Sequence, residues 1–271
     1  MKSAVTISLV PEARGGPFVF WDDLETACAQ AATLGFDAVE IFPPGAEAVT
    51  RMNVAKILGA QGLKCAAVGT GAGWVKHKLR LTDPDATVRQ RARDFVNEII
   101  DAAGALGAPA IIGSMQGRWG DGVTRNQAIA WLGEAVTALA EQAARRQVPL
   151  LYEPLNRYET NLFNRQGEAA AFLRGLPSPN PKLLCDLFHM SIEESSLADA
   201  LCTAGPLVGH VHFADSNRQS VGWGHTDMAP IMAALREINY TGYLSAEVLP
   251  LPDSLAAARQ TIESFRRWTT A

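Results

Sequence analysis

Eight short runs of aliphatic and β-branched residues alternate with longer segments of helical periodicity along the whole chain. This alternation confines it to α/β architectures built on a parallel sheet. The runs are AVTISLV (4–10), DAVEIF (37–42), KCAAVGT (64–70), PAIIGSM (109–115), PLLYEPL (149–155), KLLCDLF (182–188), LVGHVHFA (207–214) and GYLSAEVL (242–249). Between the first two, Leu24, Ala27, Cys28 and Ala31 fall at i, i+3, i+4 and i+7, behind Asp22 and Asp23, which suit the positive N-terminal end of a helix. Longer helices are predicted within 84–107 and 124–147, and a last one over 254–269. Gly35, Gly62 and Gly107 stand where left-handed C-caps would stop helices.

Eight such units in 271 residues match the size of a (β/α)8 TIM barrel, typically about 250 residues. The rival, a doubly wound open sheet, usually carries a GxGxxG turn straight after its first strand, and Gly15-Gly16 lacks that spacing. No linker rich in Pro, Gly or Ser divides the chain, so a single domain over 1–271 is expected. A hydrophobic content of 48% supports a buried core. The net charge of -4 is dispersed over both signs, which disfavours nucleic acid and anionic membrane surfaces as partners. No run approaches the roughly 20 apolar residues of a membrane helix, and MKSAVTISLVPEARGG is too briefly apolar for a signal peptide. Cys28, Cys65, Cys185 and Cys202 show no paired spacing, which argues against a zinc cage or disulfide framework and points to the reduced cytoplasm.

In such barrels the reactive groups lie at the C-terminal ends of strands. The first four ends offer little ionisable chemistry beyond Glu40, whereas the last four place Glu153, Asp186, His212 and Glu247 late in otherwise apolar runs. Strand alternation puts Leu151, Glu153 and Leu155 on one side and pairs Ser245 with Glu247. The apolar outward set packs against helices, so the carboxylates point inward. The same parity turns His210 and His212 inward, with His212 nearer the mouth and His210 deeper, either a core histidine or one bonding a ligand carboxylate. Three carboxylates in one low-dielectric mouth repel one another, which a divalent cation resolves. Two Glu, one Asp and one His suit Mn2+, Mg2+ or Co2+.

The segments YEPLNRYET, CDLFHM, GHVHFADSNR and SAEVLP resemble the corresponding strands of the xylose-isomerase-like TIM-barrel superfamily, within it the sugar isomerases and epimerases typified by D-tagatose and D-psicose 3-epimerases. The resemblance implies that Glu153, Asp186, His212 and Glu247 bind one catalytic divalent metal, usually Mn2+. It further implies that Glu159, His189 and Arg218 hold the hydroxyls and carbonyl end of a small-molecule sugar, and that relatives form homo-oligomers. Glu153 and Glu247 then serve as the acid–base pair of a ketose isomerase or epimerase. The same barrel and metal would also serve a dehydratase of an inosose or dehydroshikimate-like acid. An abasic-site endonuclease would need a histidine-rich cluster, and this chain has five histidines in total and no basic face.

Plainer roles are open for several of these residues. His189 stands where it would cap the following helix, Arg218 in a solvated loop, and Glu159 within reach of Arg157 or Arg165. GTGAGW (69–74) reads as a flexible loop that offers Trp74 as a sugar-stacking wall. The stretch SVGWGHTD (220–227) falls where a barrel's gating or phosphate-binding loop lies, and His77 and His225 read as exposed loop residues.

Overall fold

A computed structural model of the chain describes residues 1–21 and 23–270; Asp22, read above as part of a helix start, lies outside them. Eight parallel strands close into a barrel in sequence order: β1 (Lys2–Ser8), β2 (Ala38–Phe42), β3 (Lys64–Gly69), β4 (Ala110–Ile112), β5 (Leu150–Tyr152), β6 (Lys182–Asp186), β7 (Val208–His212) and β8 (Tyr243–Ala246). The β1–β8 pairing, Lys2 opposite Tyr243 and Val5 opposite Ala246, completes the ring. Each predicted run contains a strand, but most strands stop earlier than the apolar pattern does. PAIIGSM keeps only Ala110–Ile112 before a 3-10 turn at Ser114–Gln116, and PLLYEPL only Leu150–Tyr152. The residues beyond, such as Met115 and Leu155, stay buried after the chain leaves the ladder, so burial alone extends the apolar signal.

The alternation of side chains divides the core. Outward residues such as Val5, Ile7, Val39, Ile41, Ile112, Tyr152 and Val211 pack with the helices in one large cluster. The barrel interior is filled by Ala4, Ala38 and Ala66 at its base and by Ala67, Ile111, Leu151 and Leu184 above them. Small residues at the base fit the restricted volume of an eight-stranded ring. The polar side chains of Glu40, Asp186, His210 and His212 are held at and above this plug.

Local signals fix the helix ends. Asp23 caps Leu24–Leu34 by accepting from the Thr26 N–H at 3.0 Å, and Gly35 ends that helix in the left-handed region. Thr124 and Gln127 form a capping box at the start of Arg125–Arg145. The GTGAGW stretch departs from the flexible-loop reading, because Ala72–His77 is helical and closely packed. A Cβ on Gly71 would meet the Phe42 ring at 2.8 Å, and one on Gly73 would meet Met115 Cε at 2.8 Å. These glycines serve close approach rather than mobility. His77 is exposed as expected but ends this helix rather than lying in a loop. Among the described residues, no helix is long and apolar enough to cross a membrane.

Candidate active site at the barrel mouth

The four ligand candidates converge. Donor atoms of Glu153, Asp186, His212 and Glu247 all lie within 4.8 Å of one another. His212 Nδ1 faces Asp186 Oδ2 at 3.3 Å, Glu153 Oε1 at 3.5 Å and Glu247 Oε2 at 3.6 Å. Asp186 and His212 are the last residues of β6 and β7 and register partners, while Glu153 and Glu247 each follow directly on the end of a strand. Asp186 divides its oxygens. Oδ1 caps the helix Leu187–Glu193 by accepting from the Phe188 N–H at 2.7 Å, leaving Oδ2 for the cluster.

Atoms bound about 2.1 Å from a common ion sit roughly 3–4 Å apart, which is the spacing around His212 Nδ1. Glu153 Oε1 is moreover buried with no hydrogen-bond partner, an arrangement stable only if something else satisfies it. The residues present therefore fit a divalent metal.

The electrostatics agree. Burial pushes the Glu247 carboxyl up to about 7, with Glu153 and Asp186 pushing the same way against His212 and Arg218. Burial also opposes the Asp186 anion, but His189, His212 and Arg218 outweigh it and hold that carboxyl well below the usual range. For His212, burial favours the neutral ring, yet Glu40 and Glu247 hold its pKa well above the ordinary value. In this form, a protonated His212 supplies the positive charge that a cation would bring.

Glu40 lies in the middle of β2, not at its end, and its side chain reaches across the barrel. Its Oε2 accepts from His210 Nε2 at 2.8 Å and its Oε1 from His212 Nε2 at 3.1 Å. Glu40 thus keeps a proton on His212 Nε2, so that when the ring is neutral its free Nδ1 lone pair faces the carboxylates. His210 is thus the deeper of the two histidines, and the carboxylate it bonds is Glu40 rather than one of the four candidate ligands. The two imidazoles overcome the cost of burying Glu40 and keep it strongly acidic.

The expected substrate-side residues surround this cluster. His189 Nδ1 accepts from the Asn156 backbone N–H at 3.3 Å and lies 2.8 Å from Asn156 Nδ2. Its Nε2 therefore carries the proton. That atom is buried without a hydrogen-bond partner, 3.7 Å from Asp186 Oδ2 and 3.9 Å from Glu153 Oε1. Arg218 donates to Glu247 Oε2 at 2.7 Å, and Glu159 lies 3.5 Å from Arg218 Nη1. Among the described residues, Glu159 pairs with neither Arg157, which binds Glu193, nor Arg165, and instead faces Arg218 and His189. Trp74 lines the cavity, but Lys78 Nζ at 5.1 Å and Arg80 Cζ at 5.7 Å lie over its ring.

Asp215 anchors the loop that carries Arg218. Its carboxylate accepts from the backbone N–H groups of Ser216 (2.7 Å), Gly222 (2.8 Å), Gly224 (2.9 Å) and Thr226 (3.0 Å). Much of the 220–227 stretch is thereby pinned. In Asp215→Asn, whichever oxygen becomes NH2, two of these N–H groups lose their acceptor and face another donor. The substitution is expected to cost about 1–3 kcal/mol and to lower Tm by several degrees, with a raised KM. A melting curve and KM unchanged from the parent would refute this anchoring role. Sequence reading missed Asn156, the Glu40 bridge and this anchor, because each depends on contacts between distant loops.

The cluster opens into a cavity of about 560 Å³ lined by Glu153, Glu159, His189, His212, Arg218 and Glu247 on one side and by the loops after β1, β3 and β4 on the other. The chain belongs to the xylose isomerase-like TIM barrel family, whose model matches residues 28–268. Among individual proteins, it is 32% identical to D-psicose 3-epimerase of Agrobacterium fabrum, covering 80% of this chain and 76% of that one. It is 30% identical to L-ribulose 3-epimerase of Methylomonas sp., covering 82% and 77%. The crystal structure of a D-allulose 3-epimerase from Methylomonas sp. with D-allulose superposes with a TM-score of 0.84 at 25% identity, over 98% of this chain and 96% of the other.

Proposed function

We propose that this chain is a divalent-metal-dependent ketose epimerase that inverts the hydroxyl-bearing carbon next to a carbonyl. The observation that carries this is the meeting of Glu153, Asp186, His212 and Glu247 donor atoms in one buried group, with Glu153 Oε1 left unpaired. The names of the relatives, 3-epimerases of D-psicose and L-ribulose, support epimerisation over aldose–ketose isomerisation and over the dehydratase alternative.

Glu153, Asp186, His212 and Glu247 would hold the metal, Mn2+ before Mg2+ or Co2+ for this mixed oxygen and nitrogen set. When bound, the metal supplies Lewis acidity that polarises the ketose carbonyl and acidifies the adjacent C–H. Glu153 and Glu247 follow β5 and β8, strands that do not neighbour one another, and so flank the sugar. One carboxylate takes the proton from one face, giving an enediolate, and the other returns a proton to the opposite face. His189 donates Nε2–H to a substrate oxygen. Arg218 holds Glu247 in place and presents its remaining N–H groups to the sugar.

Incubating the metal-loaded protein with a panel of ketoses in D2O tests this by NMR. Deuterium at the carbon beside the carbonyl, together with the epimeric sugar, is expected. Loss of water to give an absorbing enone would instead establish the dehydratase. The Glu40 bridge adds a prediction. Glu40→Gln sets an NH2 group against one of two imidazole N–H groups and releases His212, weakening Mn2+ binding by about 10- to 100-fold. Equal affinities in a metal titration of variant and parent would refute it.

A further inference from the structure

The two sides of the barrel mouth differ in charge. The metal-binding group and Arg218 stand at the ends of β5 to β8, whereas the loops after β1, β3 and β4 bring Arg14, Arg80 and Arg118 to the same cavity. The acidic residues nearby are already compensated. Asp83 takes Nε and one Nη of Arg80 at 3.1 and 2.7 Å, Glu12 lies 3.4 Å from Lys76, and Glu159 lies beside Arg218. Arg14 rests 5.2 Å from the Trp21 ring. Among the described residues, neither Arg14 nor Arg118 has a carboxylate within ion-pair distance.

The backbone that delivers Arg118 has little freedom. Thr82 Oγ1 lies within hydrogen-bond distance of the Gln116 and Arg118 carbonyls, at 2.9 and 3.2 Å, and the Thr160 hydroxyl donates to the Gly117 carbonyl at 2.8 Å. Asn161 accepts from the Trp119 N–H at 3.0 Å and donates to the Trp119 carbonyl at 2.9 Å. Gly117 has φ +85°, and a Cβ there would collide with Thr82 Oγ1 and come within 3.2 Å of Arg80 Cβ. This turn therefore seats Arg118 next to Arg80. Arg118 is exposed on this pinned turn with no protein partner for its charge, which leaves its fork of donors free for carboxylate or phosphate oxygens.

We propose that this wall is a subsite for an oxyanion, a carboxylate or phosphate ester on the end of the substrate remote from its carbonyl, with Arg118 as principal donor and Arg80 and Arg14 beside it. The placing of the carbonyl at the opposite wall rests on the ketose-epimerase reading. A neutral ketose would leave the charge of Arg118 to water. The phosphate and carboxylate sources share the chemistry and are separated by the substrates chosen.

The test compares neutral ketohexoses, their terminal phosphate esters and the matching ketouronates, by deuterium exchange with the Mn2+-loaded protein and by calorimetric binding. The parent and Arg118→Ala are both measured, with melting curves to establish that the variant folds. Anionic substrates are expected to show kcat/KM about 10- to 100-fold above neutral ones, carried by KM and lost in Arg118→Ala, whose kcat/KM for neutral ketoses stays unchanged. The better of the two anion series identifies the source. Neutral ketoses turned over as well as anions by the parent, or an equal loss for both in the variant, overturns the subsite and leaves the epimerase reading intact. Exchange absent with every sugar, with Arg118-dependent binding of an anionic sugar retained, sinks the epimerase reading alone. Binding equal for anionic and neutral sugars, or unchanged in Arg118→Ala, overturns the subsite whatever the exchange result. If Arg118→Ala fails to fold, Arg118→Gln gives the same comparison.

Discussion

Glu247→Gln and Glu153→Gln are each expected to abolish epimerisation at saturating Mn2+, lowering kcat by about 10²- to 10⁴-fold, yet to differ in which epimer still exchanges hydrogen with solvent. With carboxylates on opposite faces of the sugar, each substitution removes the base for one epimer and leaves the base for the other. One variant should therefore wash deuterium into only the first sugar, and the other variant into only its epimer. Gln is nearly isosteric and keeps an oxygen toward the cluster and toward Arg218, which bonds Glu247 at 2.7 Å. Measuring at saturating metal separates loss of the base from loss of the ion. Exchange into both epimers by both variants would remove the two-carboxylate mechanism, and unchanged epimerisation would remove the site itself.

The four ligand candidates were legible because strand parity and the barrel rule act together. An ionisable group late in an apolar run has only two directions open to it, and packing against helices closes one. What the chain does with Glu40 was not legible. Its partners His210 and His212 lie on β7, 170 and 172 residues away, and they meet it only through the closed ring. Glycine was ambiguous for a related reason. The residue that permits motion also permits close approach, and at Gly71 and Gly73 the Phe42 and Met115 side chains decide for the latter. Strand lengths overran because burial continues past the last ladder bond, as at Leu155. Arg118 left no periodic trace at all, since its position is set by Thr82 and Thr160 from separate loops.

Removing the metal is expected to end catalysis while leaving the protein folded. Three buried carboxylates would normally be untenable together, but two features of the site absorb their charge. Burial lifts the Glu247 carboxyl to about 7, so it readily takes up a proton near neutral pH, and His212 is held protonated among Glu40, Glu247, Asp186 and Glu153. Arg218 adds a fixed positive charge. The hydrophobic cluster between barrel and helices, moreover, contains no ligand residue. Chelation should therefore give a cooperative melt at lower temperature instead of an unfolded chain. Free Mn2+ at about a thousand times its Kd adds roughly 4 kcal/mol to stability, and for a chain of this size that corresponds to a rise in Tm of about 10 °C. Deuterium exchange should vanish with EDTA and return on adding Mn2+ back, in step with that rise. Exchange that survives chelation, or a melting temperature indifferent to Mn2+, would mean that the cluster holds no ion and that His212 and its carboxylates form only an internal ion network.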